Sequence, residues 1–232
     1  MAGRATKRTG VPAAPDLSAA LSVATVEDHD VEDEASFWQL EFPDLDLSGR
    51  TAASVEFEQC RFRGTDLSGT TLDRTAFTDC AFENGSLANL TAEKSSMRRA
   101  ELAVLRMTGL NWLDGVLRDV TVSQCRADLA SFRFSKFQDV VFTGCNLMRA
   151  DFERVEMAGV HFVECDLSGA QFSGARMSDT RFADCVLDGI GGVTSLAGAT
   201  VATHDLAPLT YLLADALGVR IEEPASAERG IG

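Results

Sequence analysis

The chain has 232 residues, is 45% hydrophobic and carries a net charge of −14, which suits one domain with tails and a real core. No run of about 18 apolar residues occurs, so a membrane-spanning helix is excluded. The acidic balance argues against direct nucleic-acid binding, because phosphates would be repelled.

The N-terminus, MAGRATKRTGVPAAP, is basic but is followed by no apolar segment that could serve as a signal h-region. The expected address is therefore the cytosol, where thiols stay reduced. An acidic run, EDHDVEDE, fills 27–34. Low hydrophobicity and blocked charge predict a disordered tail over residues 1–34, and DLSAALSV within it is only a marginal helix.

From Phe37 to Leu187 an apolar residue falls on every fifth position, 31 times in succession. A period of five fits neither a helix at 3.6 nor a strand at 2, so it marks a repeat architecture. The position two before each large residue is mostly small, as at Cys60, Thr65, Thr70, Ala150 and Ala170, and the other three are mostly polar. Each unit thus offers one large and one small side chain to the interior. Phe42, Phe62, Phe82, Phe142, Phe162 and Phe182 recur at multiples of twenty, as do Leu47, Leu67, Leu87, Leu147, Leu167 and Leu187. Identical residues at this spacing would stack one coil above another.

All six cysteines (Cys60, Cys80, Cys125, Cys145, Cys165, Cys185) occupy the small inward slot and form ladders spaced by twenty. A free cysteine there is a small buried hydrophobe; a metal site would need clustered CxxC ligands. No metal, disulfide or cofactor is expected. Between 85 and 127 the slots exchange sizes, with Leu90, Leu105 and Leu110 in small positions and Ala92 and Ala127 in large ones. Such swaps can conserve the volume of a layer. Trp112 takes a large slot as core filler.

After 192 the spacing becomes helical. THDLAPLTYLLADALGVRI at 203–221 predicts a helix capped by Thr203 or Asp205 and ended at Gly218. Leu206, Leu209, Leu212, Leu213, Ala216 and Leu217 make an apolar surface wider than one stripe. One side would cap the open coil, and the other would pair two copies of the chain. The expected organisation is tail 1–34, repeat domain 35–192, helical cap and dimerisation module 193–222, and flexible tail 223–232.

No catalytic arrangement is present. His29, His161 and His204 are scattered, and neither a phosphate-binding glycine loop nor GxSxG occurs. A coil filled by its own side chains leaves no pocket, so an enzyme is not expected and function must lie on the surface. Residues 35–90 carry nine acids and four bases, 91–150 six acids and nine bases, and 151–205 nine acids and three bases. The candidate partner-binding acids are Glu153, Glu156, Glu164, Asp166, Asp179, Asp184 and Asp188.

The units DLSG at 46, 66 and 166, together with CNLMRADF, resemble the pentapeptide-repeat family. The resemblance implies an all-β solenoid, a right-handed quadrilateral β-helix of about eight coils with four pentapeptides in each. The repeat domain followed by SLAGATV and a helix ending LADALGVRI is similar to the Qnr/MfpA-type members. It implies a homodimer that binds DNA gyrase in place of DNA and protects it from quinolones or natural-product poisons. The 31 units make nearly eight coils, which span about 37 Å at ~4.8 Å each, and two arms with caps approach ~90–100 Å, the scale of a short DNA duplex. The alternative is a rigid scaffold for some other protein partner. The central basic band, with Lys94, Arg98, Arg99 and Arg106, fits either an acidic partner surface or relief of self-repulsion.

Overall fold

A chain that turns one large and one small side chain inward in every five residues must bend sharply after each unit. In the computed structural model, which describes residues 11–222, every fifth residue from Glu34 to Gly189 supplies that bend, with φ between 49° and 70°. This left-handed region suits Gly, Asn and Asp and costs other residues roughly 1 kcal/mol or more. Such corners are therefore rich in Asp, Asn and Gly, although Val104, Leu129 and Phe134 also occupy them. Four bends close a twenty-residue turn, and successive turns pair in parallel at a register of twenty, as in Phe57↔Phe77 and Phe142↔Phe162.

The result is a four-sided parallel β-solenoid of about nine turns. Face one carries residues such as Phe137 and Met157, face two Phe142 and Phe162, face three Leu147 and Leu167, and face four Phe152 and Phe172. Faces one and two run together as eight-residue strands, for example Lys136–Thr143 and Glu156–Val163. Face four begins as four short paired strands ending at Asn111–Leu113 and continues as single bridges. Face three is held by bridges alone, from Asp46↔Asp66 to Asp166↔Val186. Two rungs come from outside the five-residue register: Ser22–Val23 pairs with Leu40–Glu41, and Ala199–Val201 pairs with Thr180–Phe182.

The register forces like side chains on top of one another. Phe62 stacks on Phe82 at 4.5 Å with 3° between ring planes, and Phe162 on Phe182 at 5.0 Å and 6°. Rings on adjacent faces meet edge-on, as Phe57 and Phe62 do at 5.3 Å and 70°. Burying each ring fully is worth about 1.5–3 kcal/mol. The small slot has its own chemistry: Thr70 Oγ1 donates to Leu47 O at 3.0 Å, Ser135 Oγ to Trp112 O at 3.0 Å and Cys80 Sγ to Phe57 O at 3.5 Å. Thr, Ser and Cys thus make one kind of contact, to the carbonyl of a large residue in the preceding turn. Burial pushes the Cys60 thiol up to about 11 and raises Cys80 and Cys185 as well.

The exchanged slots between 85 and 127 leave the pairing unbroken, as Met97↔Leu117 and Leu102↔Val122 show. The exchange nearly conserves volume, leaving a void of about 20 Å³ bordered by Leu90, Met97 and Trp112, whose apolar lining does not favour a bound water. Trp112 is 2% exposed. A Cβ added to Gly115 would lie 2.3 Å from Trp112 Nε1 and 2.8 Å from Ser95 O. The indole fits because its neighbour has no side chain.

Residues 11–34 differ from the expected disordered tail. Residues 11–21 lie along the rod without helix or strand, and DLSAALSV forms no helix, its end being strand Ser22–Val23. Thr25 then caps a short helix, Val26–His29, while Ala24 and Val31 bury against the first coil. Asp30 pairs with Arg50 at 2.9 Å, and Asp33 accepts the Ala53 N–H at 2.8 Å. Composition favours disorder, but these backbone and carboxylate contacts bridge distant residues and override it. The parts of the expected tails at 1–10 and 223–232 lie outside the described residues.

The C-terminal helix spans Ala207–Ala216, with Leu206 at its N-cap and no side-chain cap. Neither Thr203 nor Asp205 plays that part, because both belong to a preceding 3₁₀ turn. Asp205 instead terminates the solenoid: its Oδ2 accepts the Cys185 N–H at 3.1 Å, where a further turn would lie. Gly218, at φ 70°, ends the helix.

Candidate interaction surfaces

The outward positions of each pentapeptide point from a rigid frame, so charge on the rod is arranged by register. The structure divides the seven acids proposed from sequence. Glu153 sits on face four and pairs with Arg133 at 2.7 Å and Arg154 at 3.8 Å. Glu156, on face one, lies 3.3 Å from Arg176 and 4.0 Å from Lys136. Asp166 on face three accepts the Ser168 N–H at 3.0 Å and the Ser168 hydroxyl at 2.6 Å. Asp184 meets His204 Nε2 at 2.7 Å.

Register brings four of the seven together. Glu164 and Asp184 occupy successive levels of the corner between faces two and three, and Asp166 and Asp188 lie on face three beside it. Asp179 is at the opposite corner of face two. Glu164, Asp166, Asp179 and Asp188 have no ion pair among the described residues. These four acids of the last coils are therefore uncompensated, whereas Asp151, Glu153 and Glu156 meet arginines and Asp184 meets His204.

The basic band is mostly neutralised by its own chain. Arg99 forms a two-pronged pair with buried Asp79. Arg126 meets Asp128 at 3.0 Å, Lys94 meets Glu93 at 3.0 Å and Arg118 meets Asp119 at 3.6 Å. Burial raises the Asp79 carboxyl pKa, but the Arg99 hydrogen bonds and the Asp16 backbone N–H outweigh that and hold it below the usual range. Exposed pairs of this kind contribute about 0–1 kcal/mol each. Their chief effect is to remove positive charge from the surface.

The candidate dimerisation residues also divide. Leu209 is buried against the coil end and Leu212 is half-buried. Leu206, Leu213, Ala216 and Leu217 are exposed and border an apolar groove of about 410 Å³ with Val193, Leu196 and Val201. Leu217 is 77% exposed. Sequence reasoning missed Tyr211, Val219 and Ile221, which are exposed around the same module; their apolar character was the available signal.

Two family models match the chain: a pentapeptide repeat region over residues 135–191 and pentapeptide repeats in eight copies over 41–79. The chain carries pentapeptide repeats in both of these stretches. Among solved structures it is similar to a trypsin-treated form of QnrB1, a plasmid-mediated fluoroquinolone resistance protein. That match has 20% identity and a TM-score of 0.32 over 83% of this chain and 100% of that one. It is also similar to HetL, a pentapeptide-repeat protein involved in heterocyst differentiation regulation from the cyanobacterium Nostoc, at 15% identity and TM-score 0.31 over 72% and 89% of the two chains. A third pentapeptide-repeat protein, Rfr23 from the cyanobacterium Cyanothece, matches at 12% identity and TM-score 0.21 over 69% and 90%. No curated protein matches the sequence.

Proposed function

We propose that this pentapeptide-repeat protein is a DNA mimic that occupies the DNA-binding surface of a type II topoisomerase, DNA gyrase, and so modulates or protects the enzyme against quinolone-like or natural-product poisons. The observation that carries this reading is the adjacency of two features: the uncompensated acids Glu164, Asp166 and Asp188, and the exposed apolar groove of the C-terminal helix one or two turns away. Copies paired through Leu206, Leu213, Ala216 and Leu217 would join their acidic coils at the middle of a double-length rod. Action is then competitive occupancy of a basic saddle, without a chemical step. Long-range attraction makes the association salt-sensitive.

The test is gyrase supercoiling and poison-induced cleavage at low salt with increasing protein. Supercoiling inhibition or relief of cleavage is expected, and no change in either assay at excess protein overturns the reading. Asp166→Lys with Asp188→Lys, both outward on face three, should abolish the effect without altering the melting temperature by more than a few degrees. Leu213→Asp with Leu217→Asp should halve the native mass.

A second reading, a protein-interaction scaffold unrelated to gyrase, draws on the internal neutralisation of Glu153, Glu156 and most of the basic band. The surface is less polarised than the residue count suggests. A protein that fails both gyrase assays while remaining folded would belong here.

A further inference from the structure

The corner between faces one and two carries, at successive levels of the rod, Gln39, Gln59, Asp79, Arg99 and Asp119. Residues 11–21 lie along it. Asp119 Oδ1 accepts the Ala13 N–H at 3.4 Å, Asp79 Oδ1 accepts the Asp16 N–H at 3.0 Å, and Gln59 Nε2 donates to Asp16 O at 2.9 Å. Three residues of this strap, from Ala13 to Asp16, thus span two turns of the solenoid. The match is physical: a polyproline-type chain rises ~9.3 Å in three residues, and two strand spacings are ~9.6 Å. Pro12, Pro15, Leu17, Ser18 and Leu21 are the half-buried positions, four of them three apart, whereas Ala13, Ala14, Asp16, Ala19 and Ala20 are exposed.

Along residues 11–21 the three hydrogen bonds to the corner all use its side chains; strand pairing with the rod begins only at Ser22. The solenoid's own ladder does not depend on it. When the strap leaves, Asp79 keeps Arg99 and Asp119 keeps Arg118, so no buried charge is left alone. A segment held by a few hydrogen bonds, none of them fully buried, opens locally at low cost.

We propose that this corner is a peptide-binding track that reads an extended chain with prolines three residues apart, that the chain's own residues 11–21 are its resident occupant, and that the strap exchanges with a segment of the same pattern presented by another chain. The track's carboxylates recognise backbone N–H groups three residues apart, and proline, with its fixed φ, holds such a chain extended. This surface is separate from the acidic coils of the proposed gyrase reading, and neither depends on the other.

The experiment uses the full chain and a labelled peptide of residues 11–24. Ala13→Pro with Asp16→Pro removes both strap donors while leaving every track residue intact. Fluorescence anisotropy should show saturable peptide binding to this variant about tenfold tighter than to the wild type, where the tethered strap competes at an effective concentration on the order of millimolar. Adding Gln59→Ala and Asp119→Ala, which spare the Asp79–Arg99 pair, should abolish that binding. Equal binding to all three chains, or none to the first variant, overturns the proposal. Hydrogen exchange on the wild type provides a check free of mutation. The Ala13 and Asp16 amides should be protected, less than solenoid amides, and should lose protection when unlabelled peptide is added in excess. Exchange at the rate of an open chain, or protection that excess peptide leaves unchanged, would equally overturn it.

Discussion

The two outer blocks of the solenoid and its middle solve the same packing problem differently. Around Phe42–Phe82 and Phe132–Phe182, phenylalanine stacks on phenylalanine from turn to turn, and the small slots mostly hold Cys, Thr, Ser, Ala or Val. Between Leu90 and Ala127 the large and small slots trade places around Trp112, and a small void remains. The backbone register is indifferent to the exchange. A repeat therefore prescribes where side chains go and roughly how much they must fill, while the means of filling varies with each layer.

The largest test of this contrast is Phe162→Ala. It removes a ring stacked on both Phe142 and Phe182, and a loss of about 3–5 kcal/mol in chemical denaturation is expected. A cost below ~1 kcal/mol would mean the stack collapses as easily as an irregular core. In the middle block the sensitive position is a glycine. Gly115→Ala drives a methyl group against the indole and a backbone carbonyl, and overpacking should cost about 1–3 kcal/mol; an unchanged melting temperature would show that Trp112 shifts freely.

A smaller effect separates the blocks by pH. At their junction, Asp79 is held below its usual pKa by Arg99 and the Asp16 N–H against the opposing effect of burial. Its contribution is present above the unfolded value near 3.9 and is lost as pH falls through the lower folded value. Stability should decline below about pH 4, and Asp79→Asn should flatten that slope; an identical profile for the two proteins would contradict the assignment. The smallest change should be a gain. Val104 is a β-branched corner residue at φ 56° and is 51% exposed. Val104→Asn should stabilise the fold by about 0.5–1 kcal/mol, measurable as a higher denaturation midpoint, and a lower midpoint would show that the valine packs usefully.

Much was legible in advance because the repeat is a local rule. The inward positions, the turn of twenty and the shared slot of the six cysteines follow from spacing alone. The middle block was visible too, in Ala92, Ala127 and the misplaced leucines. The acids were found as residues but not as a site: sequence could not pair Glu153 with Arg133 or Glu156 with Arg176, or set Asp166 and Asp188 on the same face as neighbours of Glu164. Nor did spacing reveal Asp205 as the end of the coil, since its partner is a backbone N–H twenty residues away.

What the sequence determined by itself was the solenoid, since a period sustained over 31 units fixes a geometry in which each turn contacts only its neighbours. What only tertiary structure decided was everything that breaks the period. The strap finds Asp79 and Asp119 at separations of 63 and 106 residues, the rung Ala199–Val201 extends a sheet it does not resemble, and the C-terminal helix buries Leu209 while leaving Leu213 and Leu217 outside. These contacts join segments with no common pattern, so they exist only once the folded rod places their partners in reach.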